Sequence, residues 1–178
     1  MNLSLRGRIE AVEADITTLL VDAIVNATNA ALTPGGGVDG TIRHKAGQQI
    51  NDDLRAIGGC EPGNAVITPG YDLPAQYVIH TVAPIWAGPA KAKEQQAGLA
   101  HCYEMALELA DANAIRTIAF PAIGTGAYRW PADIAARIAF ETVAAHLRRC
   151  EQQTLVTFCC YVRADRERYD AMIARLSE

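Results

Sequence analysis

Two glycine-rich segments carry the residue types best suited to chemistry. The first runs Asn26-Ala27-Thr28-Asn29, continues through Ala30 to Thr33, and ends in Pro34-Gly35-Gly36-Gly37-Val38-Asp39-Gly40. Three consecutive glycines ahead of a helix offer unobstructed backbone N–H groups beside a positive dipole end, which suits a phosphate or diphosphate. A flexible connector is the competing use of such a run. The second segment is Gly124-Thr125-Gly126-Ala127-Tyr128, directly after the apolar run TIAFPAI and before a helix-like stretch at Pro131. Two such turns at one sheet edge can grip a diphosphate from both sides.

Asp39 is the one carboxylate in the first segment. It can orient or activate a water, or it can simply stabilise the dipole of the helix that begins there. Asn26 and Asn29 are neutral donor–acceptor groups that suit sugar hydroxyls, or serve turns. Asp15, ahead of Ile16-Thr17-Thr18, is either a helix N-cap or an acceptor for the amino group of a base. Gly35 to Gly40 matches G-x-G-x-x-G, but polar residues separate it from its strand. The following acids, Asp52 and Asp53, fall inside a helix, so the match does not read as a dinucleotide site. No Walker A lysine or G-x-S-x-G is present, no Cys–His pair is convincing as a nucleophile and base, and His44, His80, His101 and His146 show no metal spacing and read as structural. Trp86 and Trp130 suit either the cleft lining or packing.

These residues need elements to hold them. Strands are expected at Arg8–Ala14, Ala23–Thr28, Asn64–Thr68, Gln76–Val82, Thr117–Ile123 and Leu155–Tyr161. Helices are expected at Val38–Ile57, Ala92–Asn113, Pro131–Arg149 and Asp165–Leu176. Strands alternating with helices imply an α/β sheet covered on both faces, with ligands at the carboxyl ends of the strands.

The chain has 178 residues, of which half are hydrophobic and a fifth charged, so one domain over residues 1–178 is expected and disorder is excluded. A net charge of -4 argues against a broad nucleic-acid surface. The five cysteines (Cys60, Cys102, Cys150, Cys159, Cys160) form no C-x-x-C and read as reduced thiols. No run is long enough to span a membrane, and Met1 to Gly7 lacks an apolar signal region. A cytoplasmic location is expected.

The segments VDAIVNATN (Val21 to Asn29), GGGVDG (Gly35 to Gly40), VIHTVAP (Val78 to Pro84) and FPAIGTGAY (Phe120 to Tyr128) resemble the macrodomain family, closest to its MacroD-type branch with the bacterial O-acetyl-ADP-ribose deacetylases. The resemblance spans nearly the whole chain. It implies a three-layer α/β/α fold with a six-stranded mixed sheet and an ADP-ribose cleft at the strand ends. It also implies that Asp15 binds the adenine amino group with Ile16 beside it, and that Tyr161 packs near the adenine. Gly35, Gly36, Gly37 and Val38 would hold the diphosphate from one side, and Gly124, Thr125, Gly126, Ala127 and Tyr128 from the other, with Tyr128 walling the distal ribose. Asn26 and Asn29 would position that ribose, and Asp39 would be the catalytic aspartate. The chain departs from the family pattern at Ala14, Thr28, Gly124 (usually serine) and Arg129 (usually small), and at Val162–Asp165 after the last strand.

The expected activity is metal-independent and cofactor-free hydrolysis of esters at the distal ribose, on O-acetyl-ADP-ribose or on mono-ADP-ribosylated Asp/Glu of proteins. A non-catalytic ADP-ribose reader is the alternative. ADP-ribose 1″-phosphate is a possible further substrate.

Overall fold

The computed structural model describes residues 5–150, 152 and 154–176. Six short strands form one sheet: β1 (Ile9–Glu13), β2 (Ala23–Ala27), β3 (Ala65–Pro69), β4 (Tyr77–Thr81), β5 (Thr117–Phe120) and β6 (Leu155–Cys160). Their order across the sheet is β1-β6-β5-β2-β4-β3. Every pairing is parallel except β3 with β4, which the turn at Pro69-Gly70 joins antiparallel. β2 and β5 lie at the centre and are buried on both faces, hence their lack of polar alternation; Asn26 is the one polar side chain fully buried in β2.

Five helices cover the sheet: α1 (Gly37–Ala46), α2 (Gln49–Ile57), α3 (Ala92–Ala112), α4 (Ala132–Arg149) and α5 (Arg163–Ile173). One face buries Ile24, Val78, Ala119 and Cys159 against Ile42, Ile50 and Leu54 of α1 and α2. The other buries Val25, Ile79, Phe120, Phe158 and Cys160 against Leu99 and Tyr103 of α3, Val143 and Leu147 of α4, and Tyr169 of α5. The expected three-layer α/β/α arrangement results, and the adjacent pair Cys159 and Cys160 enters opposite cores, as period-2 geometry requires. The ring of Tyr169 stacks on Phe158 at 4.0 Å between centroids, which ties α5 to the sheet.

The single helix expected over Val38–Ile57 is two. Gly47 lies at φ +92°, outside the helical region, and its N–H closes α1 on the Arg43 carbonyl at 3.1 Å. The chain then restarts as α2 at Gln49. β5 stops at Phe120, three residues short of Ile123, because Pro121 cannot donate a ladder bond. The last helix runs from Arg163 to Ile173 rather than from Asp165 to Leu176.

Because β2, β4 and β5 are parallel, the segments leaving them meet at one edge. That edge receives residues 28–36, 82–88 and 121–131.

Candidate active site

A cleft of about 370 Å³ opens at that edge. Gly35, Gly36, Gly37, Val38 and Asp39 line it from α1 and the turn before it, and Gly124, Gly126, Ala127 and Tyr128 from the segment after β5. The strand ends add Ala27, Thr28, Asn29, Ala83 and Ala122. The two glycine-rich segments therefore share one cavity. Thr125 sits within the second, its hydroxyl donating to the Ala122 carbonyl at 3.0 Å.

Asp15, Ile16 and Tyr161 do not line this cavity. Asp15 caps a short 3-10 turn, Ile16–Thr18, with Oδ1 accepting from the Thr17 N–H at 2.9 Å and the Thr17 hydroxyl at 2.7 Å. These bonds hold its carboxyl below the usual range. Ile16 packs into the core beside α1. Tyr161 is 88% exposed just beyond β6. Asp15 and Tyr161 leave the paired strands β1 and β6, so they lie farther along the sheet edge that carries the cleft.

Asp39 occupies the first turn of α1 and is 3% exposed. Its Oδ2 accepts the Gly35 N–H at 2.7 Å. Its Oδ1 accepts the Asn26 Nδ2 at 2.7 Å and the Arg43 Nε at 2.8 Å. The glycine turn is thus buckled onto the helix that follows it. Gly40 completes the fit: a Cβ there would stand 2.8 Å from the Gly35 carbonyl oxygen. Arg43 spreads the same network outward, reaching the Thr28 hydroxyl, the Leu32 carbonyl and Asn51 Oδ1.

The two asparagines play different parts. Asn29 lines the cleft, and its side chain locks a turn: Nδ2 donates to the Thr33 carbonyl at 2.8 Å, and Oδ1 accepts the Thr33 N–H at 3.2 Å. One Nδ2 hydrogen is not used in that turn. Asn26, expected beside the distal ribose, is instead completely buried beneath the cleft. It cannot touch a sugar where it stands; it acts on the site by holding Asp39. The reason is the period of β2, which turns residue 26 inward.

Asn26 Nδ2 also contacts His80 Nδ1 at 3.1 Å, and His80 Nε2 meets the Thr68 hydroxyl at 2.9 Å. Since the Asn26 amide faces the Asp39 carboxylate as a donor, His80 Nδ1 must accept and Nε2 carries the proton. Burial, helped by the nearby Arg43 charge and opposed by Asp39, pushes the imidazole down to about 3. The unfolded chain therefore takes up a proton first as pH falls. Stability is complete above the unfolded value near 6.5 and drops by about 1.4 kcal/mol per unit below it, down to about 3. Between about pH 7 and about pH 5, the native chain is expected to lose about 2 kcal/mol more unfolding free energy than His80→Gln. Urea titrations at both values check this, and equal losses would contradict it.

The second glycine segment is braced from behind. Trp130 is buried, donates Nε1–H to the Pro84 carbonyl at 2.8 Å and packs on Trp86 at 4.9 Å. The Trp130 N–H closes the turn on the Gly124 carbonyl, and the Trp86 N–H reaches the Tyr128 carbonyl, each at 3.0 Å. Both tryptophans pack; neither lines the cleft. Arg129 is exposed and lies at φ +60°, which explains why a small residue suits this place. A left-handed backbone costs a non-glycine residue about 1–2 kcal/mol, and glycine returns about 0.4–1 of that through unfolded-chain entropy. Arg129→Gly is expected to raise stability by about 0.5–1 kcal/mol, read as a higher urea midpoint at unchanged slope. A lower midpoint would count against that backbone.

Sequence reasoning missed Arg43, Thr68, Ala83 and Ala122, and read His80 as structural, as its burial in β4 bears out, without its link to Asn26. Arg43 was detectable, since it stands four residues after Asp39 on one helix face. Ala83 and Ala122 follow strand ends at the binding edge. His80 and Thr68 needed the antiparallel β3–β4 register, in which neighbouring strands bring them together.

The Macro domain family model matches residues 25–139. The chain is 44% identical over 176 residues to an O-acetyl-ADP-ribose deacetylase of Cronobacter turicensis, covering 97% of this chain and 99% of that one. It is 47% identical over 163 residues to the ADP-ribose glycohydrolase MACROD2 of Xenopus laevis, covering 91% of this chain and 39% of that longer protein. The solved Oceanobacillus iheyensis macrodomain with ADP superimposes with a TM-score of 0.88 at 35% identity, covering 94% of this chain and 90% of that one. With its fold, its cleft and both glycine segments in place, the chain belongs to the macro domain family.

Proposed function

We propose that this macrodomain binds ADP-ribose in the cleft and hydrolyses esters at its distal ribose, on O-acetyl-ADP-ribose and on mono-ADP-ribosylated Asp/Glu side chains of proteins. The observation that carries the reading is the pair of glycine segments lining one cavity with Asp39 at its edge. Gly36–Val38 and Gly124–Tyr128 would hold the diphosphate mainly by backbone N–H groups, as a chain of net charge -4 requires, while Gly35, whose N–H is spent on Asp39, shapes the turn. Asp15 and Tyr161 would receive the adenine farther along the edge. Asn29, with an Nδ2 hydrogen to spare, would meet the distal ribose.

Asp39 Oδ2 keeps one acceptor position beyond its bond to Gly35. A water held there and against a substrate phosphate oxygen stands near the ester or the anomeric carbon. Its oxygen bonds to the acyl or anomeric carbon as the ester or glycosidic bond breaks, and the proton it gives up passes by way of Asp39 or the substrate phosphate to the departing oxygen. Fixed position and backbone dipoles supply most of the acceleration. The work is assigned to the cytoplasm, in keeping with cysteines that are all unpaired. Among the described residues no helix is long and apolar enough to cross a membrane.

Incubation with O-acetyl-ADP-ribose should release acetate over many turnovers. Saturable ADP-ribose binding without acetate release would make the protein a reader instead. The dense bonding of Asp39 and the Asn29–Thr33 lock are the features that favour that second reading.

A further inference from the structure

The edge of the sheet opposite the cleft carries a second cluster. α3 and α4 leave the carboxyl edge and run back to the amino ends of β5 and β6. Their last turns bring together Asp111 of α3, His146 of α4 and Cys150, which caps α4. His146 Nε2 lies 2.9 Å from Asp111 Oδ2, and Cys150 Sγ donates to the same oxygen at 3.4 Å. All three ligand atoms fall within 4.8 Å of one another. The His146 side chain is 6% exposed and that of Asp111 26%.

We propose that Asp111, His146 and Cys150 bind one zinc ion that clamps the ends of α3 and α4 together, remote from the ADP-ribose cleft. Imidazole nitrogen, thiolate sulfur and carboxylate oxygen are the donors zinc prefers. His146 in the last turn of α4 and Cys150 at its C-cap stand four residues apart, and both reach the same Asp111 oxygen. Ligand atoms on a tetrahedral zinc are separated by about 3.3–3.6 Å, given its usual bond lengths, so the His146–Asp111 pair, now 2.9 Å apart, opens slightly to admit the ion and the rest of the cluster needs only small adjustment. A dication with one carboxylate, one thiolate and one neutral imidazole makes a neutral site, which a partly buried position tolerates.

The proton count follows from the present bonds. Asp111 only accepts, so His146 Nε2 holds a proton. On metal binding that proton moves to Nδ1, and the exposed Arg149, now 3.5 Å from Nδ1, turns to solvent. Cys150 releases its thiol proton to water as the thiolate bonds the dication, which supplies the charge that favours deprotonation. The fourth coordination position opens on the exposed side of Asp111 and takes water. Gln152 belongs to the same corner, its Nε2 donating to the Asp111 carbonyl at 3.3 Å. The resemblance-based expectation of metal-independent hydrolysis is unaffected, because the ion sits at the other edge of the sheet.

The test uses the full chain, freed of metal by a chelator and titrated with cobalt(II). One equivalent should raise a thiolate-to-cobalt charge-transfer band in the near ultraviolet, and one equivalent of zinc should bleach it. Cys150→Ser, a mild change at a half-buried position, should fold normally by circular dichroism and lose the band. Its zinc affinity should fall by at least the roughly 10–100-fold that loss of an outer-shell partner costs. Acetate release from O-acetyl-ADP-ribose should be equal with and without zinc. No band at one equivalent, or a band that survives in Cys150→Ser, would overturn the site. Turnover that tracks zinc occupancy would overturn its remoteness.

Discussion

Asp39→Ala should cut ester turnover by about 10²–10⁴-fold and remove about 3–5 kcal/mol of folding free energy, while ADP-ribose still binds. The two losses have separate causes. The stability loss comes from Arg43, whose Nε–Asp39 bond is 2.8 Å long with both side chains only 4% exposed; removing the acid leaves a buried cation unpaired. The Gly35 N–H and one Asn26 hydrogen lose their acceptor too. The turnover loss comes from the water that Asp39 Oδ2 is proposed to hold. Binding is expected to persist because the diphosphate is assigned to backbone groups of both glycine segments.

A double variant separates them. Asp39→Ala with Arg43→Met removes the unpaired charge, so urea unfolding should recover a measurable part of the lost stability while turnover stays low. Turnover that returned along with stability would make Asp39 a structural buckle and nothing more.

Gly124→Ser should lower stability by about 2–4 kcal/mol and weaken ADP-ribose binding by more than about tenfold, although serine is the residue the family resemblance would put there. Gly124 lies at φ +83°, and a Cβ would stand 2.6 Å from Trp130 Cδ1. The indole cannot retreat, since Nε1 is fixed to the Pro84 carbonyl and the ring rests on Trp86. The turn must shift, and with it the amides proposed for the diphosphate. Gly126→Ser is the control: its Cβ would meet nothing within 4 Å, so its stability should stay within about 0.5 kcal/mol of the parent. Denaturation and calorimetry on both variants decide the matter; equal behaviour would contradict the packing of Trp130.

These two residues also show how much could be read before the structure. Strand-like runs alternating with helical ones imply an α/β sheet covered on both faces, and the binding edge follows from that arrangement. Gly35–Asp39 and Gly124–Tyr128 were legible as loops at that edge because glycine runs between strand and helix have few other uses. What was not legible depends on which way a side chain turns. Asn26 and Asn29 look equivalent as residue types, yet one is fully buried beneath Asp39 and the other lines the cleft. The break between α1 and α2 at Gly47 was hidden because Ile42, Ala46, Ile50 and Leu54 keep a helical spacing across it. The Asp111, His146 and Cys150 cluster joins residues up to 39 apart in sequence, and a search for paired histidines passes over it.

The two-sided grip on the diphosphate is the claim on which the functional account rests, and amide chemical shifts test it most directly. In a ¹H–¹⁵N spectrum recorded as ADP-ribose is added, the largest shifts should fall on Gly35–Val38 and on Gly124–Tyr128 together, with Asp111, His146 and Cys150 unmoved. Shifts confined to one segment, or centred elsewhere on the chain, would contradict it.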